Sequence, residues 1–546
     1  YPHYVAPTPA MAVVRLVPDP KEGSLAEGYV VPRGTTLRGV LGKGEITAVE
    51  FRTAHDVTLW PLEIVEAEYF SRDAAGMDLP AVPGVKAALR IRLRSAAGVK
   101  LAKLPIERLP IYLHGAGGVP MRLYEQLLGS NLGLVLRPTS RPAAWQVVRG
   151  REHVRSHGFE DEQALLPYGP RSFQGYRLLA EYFACPQRFL FVELSGLAEG
   201  LAQTTEDQVD VIVLLGKHEP QLEGYLNAGS FELFCTPAIN LFPKSADRIH
   251  LSNRASEHHV VPDRTRPLDF EVHSITDVIG YGTNLEERQT FRPFYAANDP
   301  APDSGARAYY TVHRAPRVLA SSQRRTGPRT SYIGSEVFVA LVDAEEAPYA
   351  HDLRQLAVGT LCTNRDLALL MPIGKSSTDF TLEIGAPVAS IRCLAGPTRP
   401  RPAPTFGDGD FVWRLVSHLT LNYLSLVDND ERQGAAAVRD MLRLYSDDQD
   451  AALRKQIEGV RSVRSRPITR RIPTAGPITF GRGLEITLTC DEAAFEGTGA
   501  FLLGAVLDRF FARYVSINSF TETVLATVDR GQVMRWPTRL GRRQIA

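Results

Sequence analysis

The chain has 546 residues, with 44% hydrophobic and 23% charged residues and a formal net charge of +1 from 62 basic and 61 acidic side chains. This composition excludes disorder over the whole chain, and the length suggests about three or four domains. The balanced charge argues against a dedicated nucleic-acid-binding protein, because such proteins carry a basic excess that neutralises phosphate.

Residues 1–155 predict a β-rich domain. Leu89, Ile91 and Leu93 alternate with arginines at 90, 92 and 94, so an apolar row and a row of guanidinium groups lie on opposite faces of one strand. Turn-forming sequences separate such segments, at 31–34, 41–44 and 115–118.

Residues 156–396 predict a β-rich middle domain with long loops. A helix is predicted over 173–183, and it is followed by strand-like runs at 189–194, 209–215, 231–235, 270–275, 309–313 and 337–342. Both faces of the 337–342 run are apolar, which predicts a central strand covered on two sides. Proline and arginine mark two predicted loops, 298–307 and 314–329.

Four prolines between positions 397 and 404 predict an extended connector and the clearest domain boundary. Beyond it, residues 405–546 predict an α+β domain. Its apolar periodicities indicate helices over 411–426, 438–445, 453–460 and 501–514, strands over 484–490 and 517–528, and a short final strand after Gly531-Gln532. The predicted fold class is therefore multidomain α+β, with β-rich N-terminal and middle modules and a more helical C-terminal module.

Motifs that bind nucleotides or metals are weak in this sequence. Gly374-Lys375-Ser376 resembles the end of a phosphate-binding loop, but the position that needs the earlier glycine holds Leu369. His258 and His259, with His250 and Glu257 nearby, match no standard metal-ligand spacing, so a solvated loop is the preferred interpretation.

The most compact acidic run in the first half is Glu160-Asp161-Glu162, which we interpret as a solvated charge run. Two of these carboxylates would form a glycosidase dyad only if they faced each other across a cleft. No catalytic, cofactor-binding or metal-binding residue is therefore predicted, and no cofactor.

Arginines form three clusters that are predicted to lie in loops or near the C-terminus: 314, 317, 324, 325 and 329; 461, 464, 466, 470 and 471; and 539, 542 and 543. A solvated surface and a protein interface both remain open for them, because the planar guanidinium suits interfaces. Nucleic acid is the less favoured partner, given the balanced total charge.

The five cysteines lie at 185, 235, 362, 393 and 490, without CxxC spacing. This pattern predicts free, buried thiols in a reducing compartment rather than a zinc site or a disulfide framework. No apolar run approaches the ~20 residues that a membrane-spanning helix needs, and no secretory leader is visible.

Several segments together resemble the TssF family (also called ImpG or VasA), whose members are baseplate subunits of the bacterial type VI secretion system. They occur in order along nearly the whole chain, at 1–4, 6–11, 31–35, 51–57, 59–62, 181–183, 189–191, 261–264, 362–366, 413–426 and 509–520. Family members normally carry a helical segment upstream of the Tyr-Pro-His-Tyr stretch, which this sequence lacks and which is expected to bundle the subunit with its partner.

The resemblance implies a structural role and no reaction. It implies assembly with TssG, a second TssF copy, the adaptor TssK and the sheath initiator TssE, around a central spike, with cytoplasmic docking on the membrane complex at the inner membrane. A carbohydrate-active enzyme and a nucleic-acid-binding protein with β-rich modules remain as alternatives. Interface residues are not predicted, and Trp60 and Trp413 are equally compatible with core and contact positions.

Overall fold

A computed structural model of the chain describes residues 5–21, 23–42, 44–71, 79–96, 98–169, 173–252, 254–283, 288–294, 308–318, 329–343, 352–406, 409–420, 431–446, 450–471, 480–515 and 519–541. Within these ranges, every helix is too short or too polar to span a membrane.

Strands dominate the part of the chain that precedes the proline-rich connector. They are β1 Met11–Pro18, β2 Tyr29–Val31, β3 Thr36–Gly39, β4 Glu50–Thr53, β5 Val57–Leu59, β6 Leu62–Phe70, β7 Ala87–Ser95, β8 Arg108–Leu113, β9 Asn131–Arg137, β10 Val147–Gly150, β11 Val154–His157, β12 Phe191–Ser195, β13 Gln208–Leu215, β14 Phe231–Leu233, β15 Cys235–Ile239, β16 Phe242–Ser245, β17 Ile249–His250, β18 His258–Val260, β19 Glu271–Tyr281, β20 Arg288–Pro293, β21 Ala308–Pro316, β22 Ser335–Asp343, β23 Gln355–Thr363, β24 Phe380–Leu382 and β25 Val388–Ala395.

In the described residues, five further strands and four helices follow this region, and three helices lie within it. The strands are β26 Val460–Arg471, β27 Phe480–Cys490, β28 Phe520–Thr527, β29 Gly531–Arg535 and β30 Arg539–Leu540. The helices are α1 Val119–Gly129, α2 Gln174–Ala184, α3 Ala198–Gln203, α4 Gly409–Thr420, α5 Glu431–Arg443, α6 Ala451–Glu458 and α7 Ala500–Tyr514.

Six strands form a closed antiparallel barrel. Its strand order is β1-β15-β4-β3-β24-β25, and β25 returns to pair with β1. Apolar side chains of alternating positions fill its interior, as where Phe51 and Phe380 meet edge to face with centroids 5.5 Å apart. The barrel therefore joins the first strand of the chain to the last strand before the proline-rich connector.

Two antiparallel sheets extend the same core, one ordered β10-β9-β13-β7-β6 and the other β11-β12-β8-β14. The alternation predicted over 89–94 is confirmed in β7, where the leucines and isoleucine are buried. On the opposite face Arg92 pairs with Asp210 and Glu66 at 2.7 and 2.6 Å, so the guanidinium row is neutralised by carboxylates of neighbouring strands.

The barrel and the β10–β6 sheet combine strands from 1–155 with strands from 156–396. By contrast, the sheet β16-β23-β19-β20-β21-β22-β18, with β17 on β23, encloses a hydrophobic core of its own. The division into 1–155, 156–396 and 405–546 stays a prediction.

The prediction that residues 337–342 are covered on both faces is wrong. Val337, Val339 and Leu341 are buried in β22, but Val342 is 41% exposed and Phe338 is only partly covered. The apolar second face is explained in part by aromatic contacts, because Phe338 stacks on His259 with centroids 4.8 Å apart.

The C-terminal module confirms the predicted α+β class. Its sheet has the order β26-β27-β28-β29, with β30 on β28, and β27 and β28 run parallel with α7 as the crossover between them. The predicted helix over 453–460 ends earlier, at Glu458, since Val460 already begins β26. Residues 421–426 of the predicted 411–426 helix and 517–518 of the predicted strand lie outside the described residues.

Candidate interaction surfaces

The motif at Gly374 is a turn rather than the entry to a helix. Gly374 has a φ of +75°, and its amide donates a hydrogen bond to the Asp379 carboxylate at 2.7 Å. A nearby carboxylate therefore occupies the donor that a phosphate would need, which agrees with the missing glycine at Leu369.

The prediction of a solvated loop at the histidine cluster is right about the exposure of His250 and His259, but these two residues lie in strands β17 and β18. The prediction is wrong in both respects for His258. It is 5% exposed in β18, because that strand pairs with β22 and turns alternate side chains inward. Among the described residues, no group of three His, Cys, Asp or Glu side chains converges as a metal site would require.

The acidic run at 160–162 divides between two environments. Glu160 and Glu162 are exposed, as the solvated interpretation predicts. Asp161 differs, because its carboxylate accepts hydrogen bonds from Arg177 at 2.9 Å and from Arg513 at 2.7 Å. The solvated interpretation is therefore wrong for the middle residue of the run.

These contacts belong to a buried ion junction, which we define as Asp161, Arg177, Glu181, Arg188 and Arg513. The side chains of Arg177, Glu181 and Arg188 have no solvent exposure. Arg177 lies 3.2 Å from Glu181 one helical turn away, and Arg188 donates to the second oxygen of the same carboxylate. Burial alone would raise the pKa of Glu181, but the two guanidinium groups outweigh it and hold the pKa below its usual value.

Backbone groups complete the junction. The amides of Leu165 and Leu166 donate to Glu181 at 3.0 and 2.9 Å, and Arg188 donates to the carbonyls of Gly158 and Gln163. The junction therefore stabilises the irregular 158–166 segment, which has few strand hydrogen bonds of its own.

The junction also attaches helix α7 to helix α2. Arg513 of α7 reaches Asp161, and the hydroxyls of Tyr176 and Tyr514 lie 2.6 Å apart. Phe173 packs edge to face against Phe510 and Tyr514 in the same contact. These interactions join the C-terminal module to α2 and to the 158–166 segment, although the two regions are far apart in the sequence.

The first arginine cluster is structural where the structure describes it, so the prediction of a single loop over 314–329 is wrong at its start. Arg314 lies in β21 and donates to the carbonyls of Val272 and His273 at 2.7 Å each. Arg329 pairs with Asp269 and Asp366 at 2.9 and 2.7 Å. Positions 324 and 325 lie outside the described residues.

The second cluster forms a strand rather than the predicted loop. Residues 461–471 lie in β26, the edge strand of the C-terminal sheet. On its outer face Arg466 lies 2.6 Å from Glu485, Arg470 3.2 Å from Glu522, and Arg535 bridges both carboxylates. We call this group the ladder.

At one end of the C-terminal sheet, strands β26 and β27 continue as a two-stranded arm, defined as residues 467–471 with 480–483, and Arg470 of the ladder lies in it. In the part of the chain that the structure describes, β28 pairs with β27 only from Leu484 onward, so residues 468–471 and 480–483 pair with each other alone. Phe480 at its end is 67% exposed. Arg471 lies directly opposite Phe480, and Arg482 lies two residues along the same face. Both arginines are exposed, and neither forms an ion pair or side-chain hydrogen bond with the described residues.

A second exposed apolar face lies on helix α4. Val412, Trp413 and Val416 are 40%, 73% and 45% exposed, while Leu415 is buried beneath the helix. Trp413 is therefore a surface residue. Trp60 is instead a core residue at 8% exposure, and it packs closely against the backbone of Gly28. Exposed aromatic and apolar side chains on one helix face are typical of contact surfaces.

The third cluster contributes Arg539 to a cavity of about 330 Å³ that Phe159, Glu160, Arg509 and Arg513 also line. Arg542 and Arg543 lie outside the described residues. The five cysteines are free, and four are buried while Cys393 is half-buried, so the prediction of free thiols is confirmed.

Comparison with known proteins gives a consistent result. A family model described as "Type VI secretion system, TssF" matches residues 1–543. A curated protein of Pseudomonas aeruginosa, type VI secretion system component TssF1, is 58% identical over 545 residues, which cover all of this chain and 87% of that protein.

Two solved structures share the fold. A chain of a type VI secretion TssK-TssF-TssG baseplate subcomplex superposes with a TM-score of 0.74 at 24% identity, covering all of this chain and 94% of that one. A chain of a type VI secretion baseplate complex gives a TM-score of 0.56 at 22% identity, covering all of this chain and 87% of that one.

Proposed function

The chain belongs to the TssF family of the type VI secretion system, and from this premise we propose that it is a non-catalytic structural subunit of the secretion baseplate. The observation that carries the proposal is the family match over residues 1–543, in which sequence and fold agree along the chain. A wedge subunit needs rigid modules that present large surfaces to neighbours.

The proposed partners are a TssG-type subunit, a second copy of this chain, a TssK-type adaptor and a TssE-type sheath initiator. The first and third are supported by the solved TssK-TssF-TssG subcomplex, in which a chain of this fold occurs. The proposed place of work is the cytoplasm, where the assembly surrounds the central spike and docks at the inner membrane through the membrane complex.

Two features of the described residues suit partner binding. The arm tip offers Phe480 beside two guanidinium groups that have no ion pair within the described ranges, and this combination of aromatic and arginine side chains is frequent at energetically important contacts. Its positive charge selects a partner surface whose rim is acidic. The face of α4 around Trp413 offers a second, apolar contact.

Co-expression with the TssG-type and TssK-type proteins of the same secretion system tests the proposal. We expect a stable complex by size-exclusion chromatography, with fixed stoichiometry by mass spectrometry. A chain that stays alone when both partners are folded and present contradicts the proposal. Turnover of a polysaccharide by the purified chain, lost on substitution of a cavity carboxylate, would favour the carbohydrate-active alternative instead.

A further inference from the structure

The cavity of about 330 Å³ near the C-terminal end of α7 carries an unusual set of charges on its wall. Three guanidinium groups, of Arg509, Arg513 and Arg539, line it together with one carboxylate, of Glu160. The side chains of Arg509 and Arg513 are only 13% and 9% exposed, so two of the three cations are largely withdrawn from water. Such cations interact strongly with an anion that reaches them, because solvent screens them little.

Contacts with the protein hold these cations in place. The Arg509 guanidinium lies over the Phe159 ring, 3.9 Å from its centroid, and donates to Ser156 Oγ at 2.7 Å. Arg539 donates through Nε to the fully buried carboxylate of Asp508. Each guanidinium has five N–H donors, so these fixed contacts leave Arg509 and Arg539 with further donors for a ligand. The side chains are therefore positioned before a ligand arrives.

Ion pairs among the described residues connect the cavity arginines with the buried ion junction. They include five guanidinium groups, at positions 177, 188, 509, 513 and 539, and three carboxylates, at 161, 181 and 508. Glu160 at the cavity wall adds a fourth carboxylate to this group. Burial lowers the pKa of Arg509 to about 10, and the neighbouring Arg539 acts in the same direction.

We propose that this cavity is an oxyanion site, which takes one carboxylate or phosphate group. Planar guanidinium groups bind both anions through paired N–H donors. The source of the anion is either free phosphate or an acidic side chain of the partner subunit. Only the second source rests on the proposed baseplate function.

Titration calorimetry with inorganic phosphate at constant ionic strength tests the site on the full chain. We expect saturable binding, at least about tenfold weaker in Arg539→Gln because a charge-assisted hydrogen bond is lost. We expect tighter binding in Glu160→Gln, which removes the competing carboxylate while its amide oxygen keeps the turn hydrogen bond. Arg454→Gln, on exposed helix α6, is the matched control and leaves the affinity unchanged.

Absence of saturable phosphate binding to the free chain overturns the proposal, and so does equal affinity in all four proteins. Arg539→Gln removes the guanidinium that donates to the buried Asp508 carboxylate, so circular dichroism is used to check that this variant folds. Glu160→Gln, at an exposed position, keeps the test valid if Arg539→Gln unfolds.

Repeating the titration on the complex with the TssG-type subunit separates the two sources. If a partner carboxylate fills the cavity, phosphate binding disappears in the complex and Arg539→Gln weakens the complex. If free phosphate is the ligand, the complex binds it as the free chain does. Failure to form the complex counts against the proposed function, while the phosphate result on the free chain stands by itself.

Discussion

Two arginine-rich regions of this chain differ in what surrounds the guanidinium groups. In the buried ion junction, Arg177 and Arg188 have no exposure, and both contact the carboxylate of Glu181. On the arm, Arg471 and Arg482 are exposed and have no ion-pair partner among the described residues. The ladder lies between these extremes, with carboxylates that are nearly buried beneath arginines that remain partly exposed.

This difference separates two uses of one residue type. A buried guanidinium without its carboxylate destabilises the folded state, so no single side chain of the junction can move away while the others stay in place. The junction therefore restrains the fold. An exposed guanidinium is hydrated in the free protein and contributes little to the free energy of unfolding, so it is available to bind a partner. We therefore expect changes at the junction to alter stability, and changes at the arm tip to alter assembly alone.

The largest expected effect is at the junction. Glu181→Gln removes the carboxylate that Arg177 and Arg188 share and leaves the buried Arg188 without an ion-pair partner among the described residues. We expect the free energy of unfolding to fall by about 3–5 kcal/mol. Urea denaturation followed by circular dichroism measures it. Glu162→Gln, on the adjacent exposed turn, is the control and changes stability by less than about 0.5 kcal/mol. A loss below about 1 kcal/mol in Glu181→Gln would show that the junction does not restrain the fold.

The pH dependence of stability is a second test of the junction. The guanidinium groups hold the pKa of Glu181 and of Asp161 below their usual values, so their contribution is fully present above the unfolded-state pKa of about 4. It is lost as the pH falls through the lower folded-state pKa. We expect the melting temperature to drop steeply below about pH 4, with a shallower drop in Glu181→Gln. Parallel pH profiles for the two proteins would contradict this assignment.

An intermediate effect is expected at the ladder. Arg535 contacts both Glu485 and Glu522, so Arg535→Gln should cost about 1 kcal/mol at low salt. Because the arginines are partly exposed, about 1 M salt should shrink this loss, whereas the loss in Glu181→Gln should persist. Arg482→Gln, on the opposite face of the same sheet, serves as the control. If salt does not reduce the loss of stability in Arg535→Gln, the ladder behaves as a buried ion group like the junction, which would contradict this prediction.

The smallest effect on stability is expected at the arm tip. Phe480→Ser combined with Arg471→Gln should change the free energy of unfolding by less than about 0.5 kcal/mol, since both side chains are exposed. Affinity for the TssG-type or TssK-type partner should nevertheless fall at least about tenfold, measured by surface plasmon resonance. Val528→Ser is the control, because Val528 is an apolar residue of the same module and is 64% exposed. Unchanged affinity for both partners would remove the arm from the interface.

The sequence predicted the local elements better than their partners. Short-range periodicity placed helices α2 and α7 and strands β7 and β27 within a few residues. The apolar pattern of each element depends only on residues that are close in the sequence. The closed barrel was not predictable, since β1 pairs with β15 and β25, which follow it only after many intervening strands. Long-range pairing leaves no spacing signal in a single sequence.

The candidate surfaces show the same limit. Arg177 and Glu181 lie four residues apart within a predicted helix, and that spacing is the one local signal of the junction. The burial that gives the pair its importance depends on Arg188 and on the 158–166 segment. A loop was predicted for the arginines of β26 because polar residues interrupt the alternation of apolar and polar positions. The strand is defined by its pairing with β27, which the local sequence does not indicate.

Hydrogen–deuterium exchange of the chain alone and in complex with its TssG-type and TssK-type partners compares the two regions in one measurement. We predict new protection in the complex at the arm strands, 467–471 and 480–483, and unchanged, already slow exchange across α2 beside the junction. An arm that exchanges equally with and without partners, while amides around Glu181 become newly protected, would contradict the assignment of the junction to the fold and of the arm to assembly.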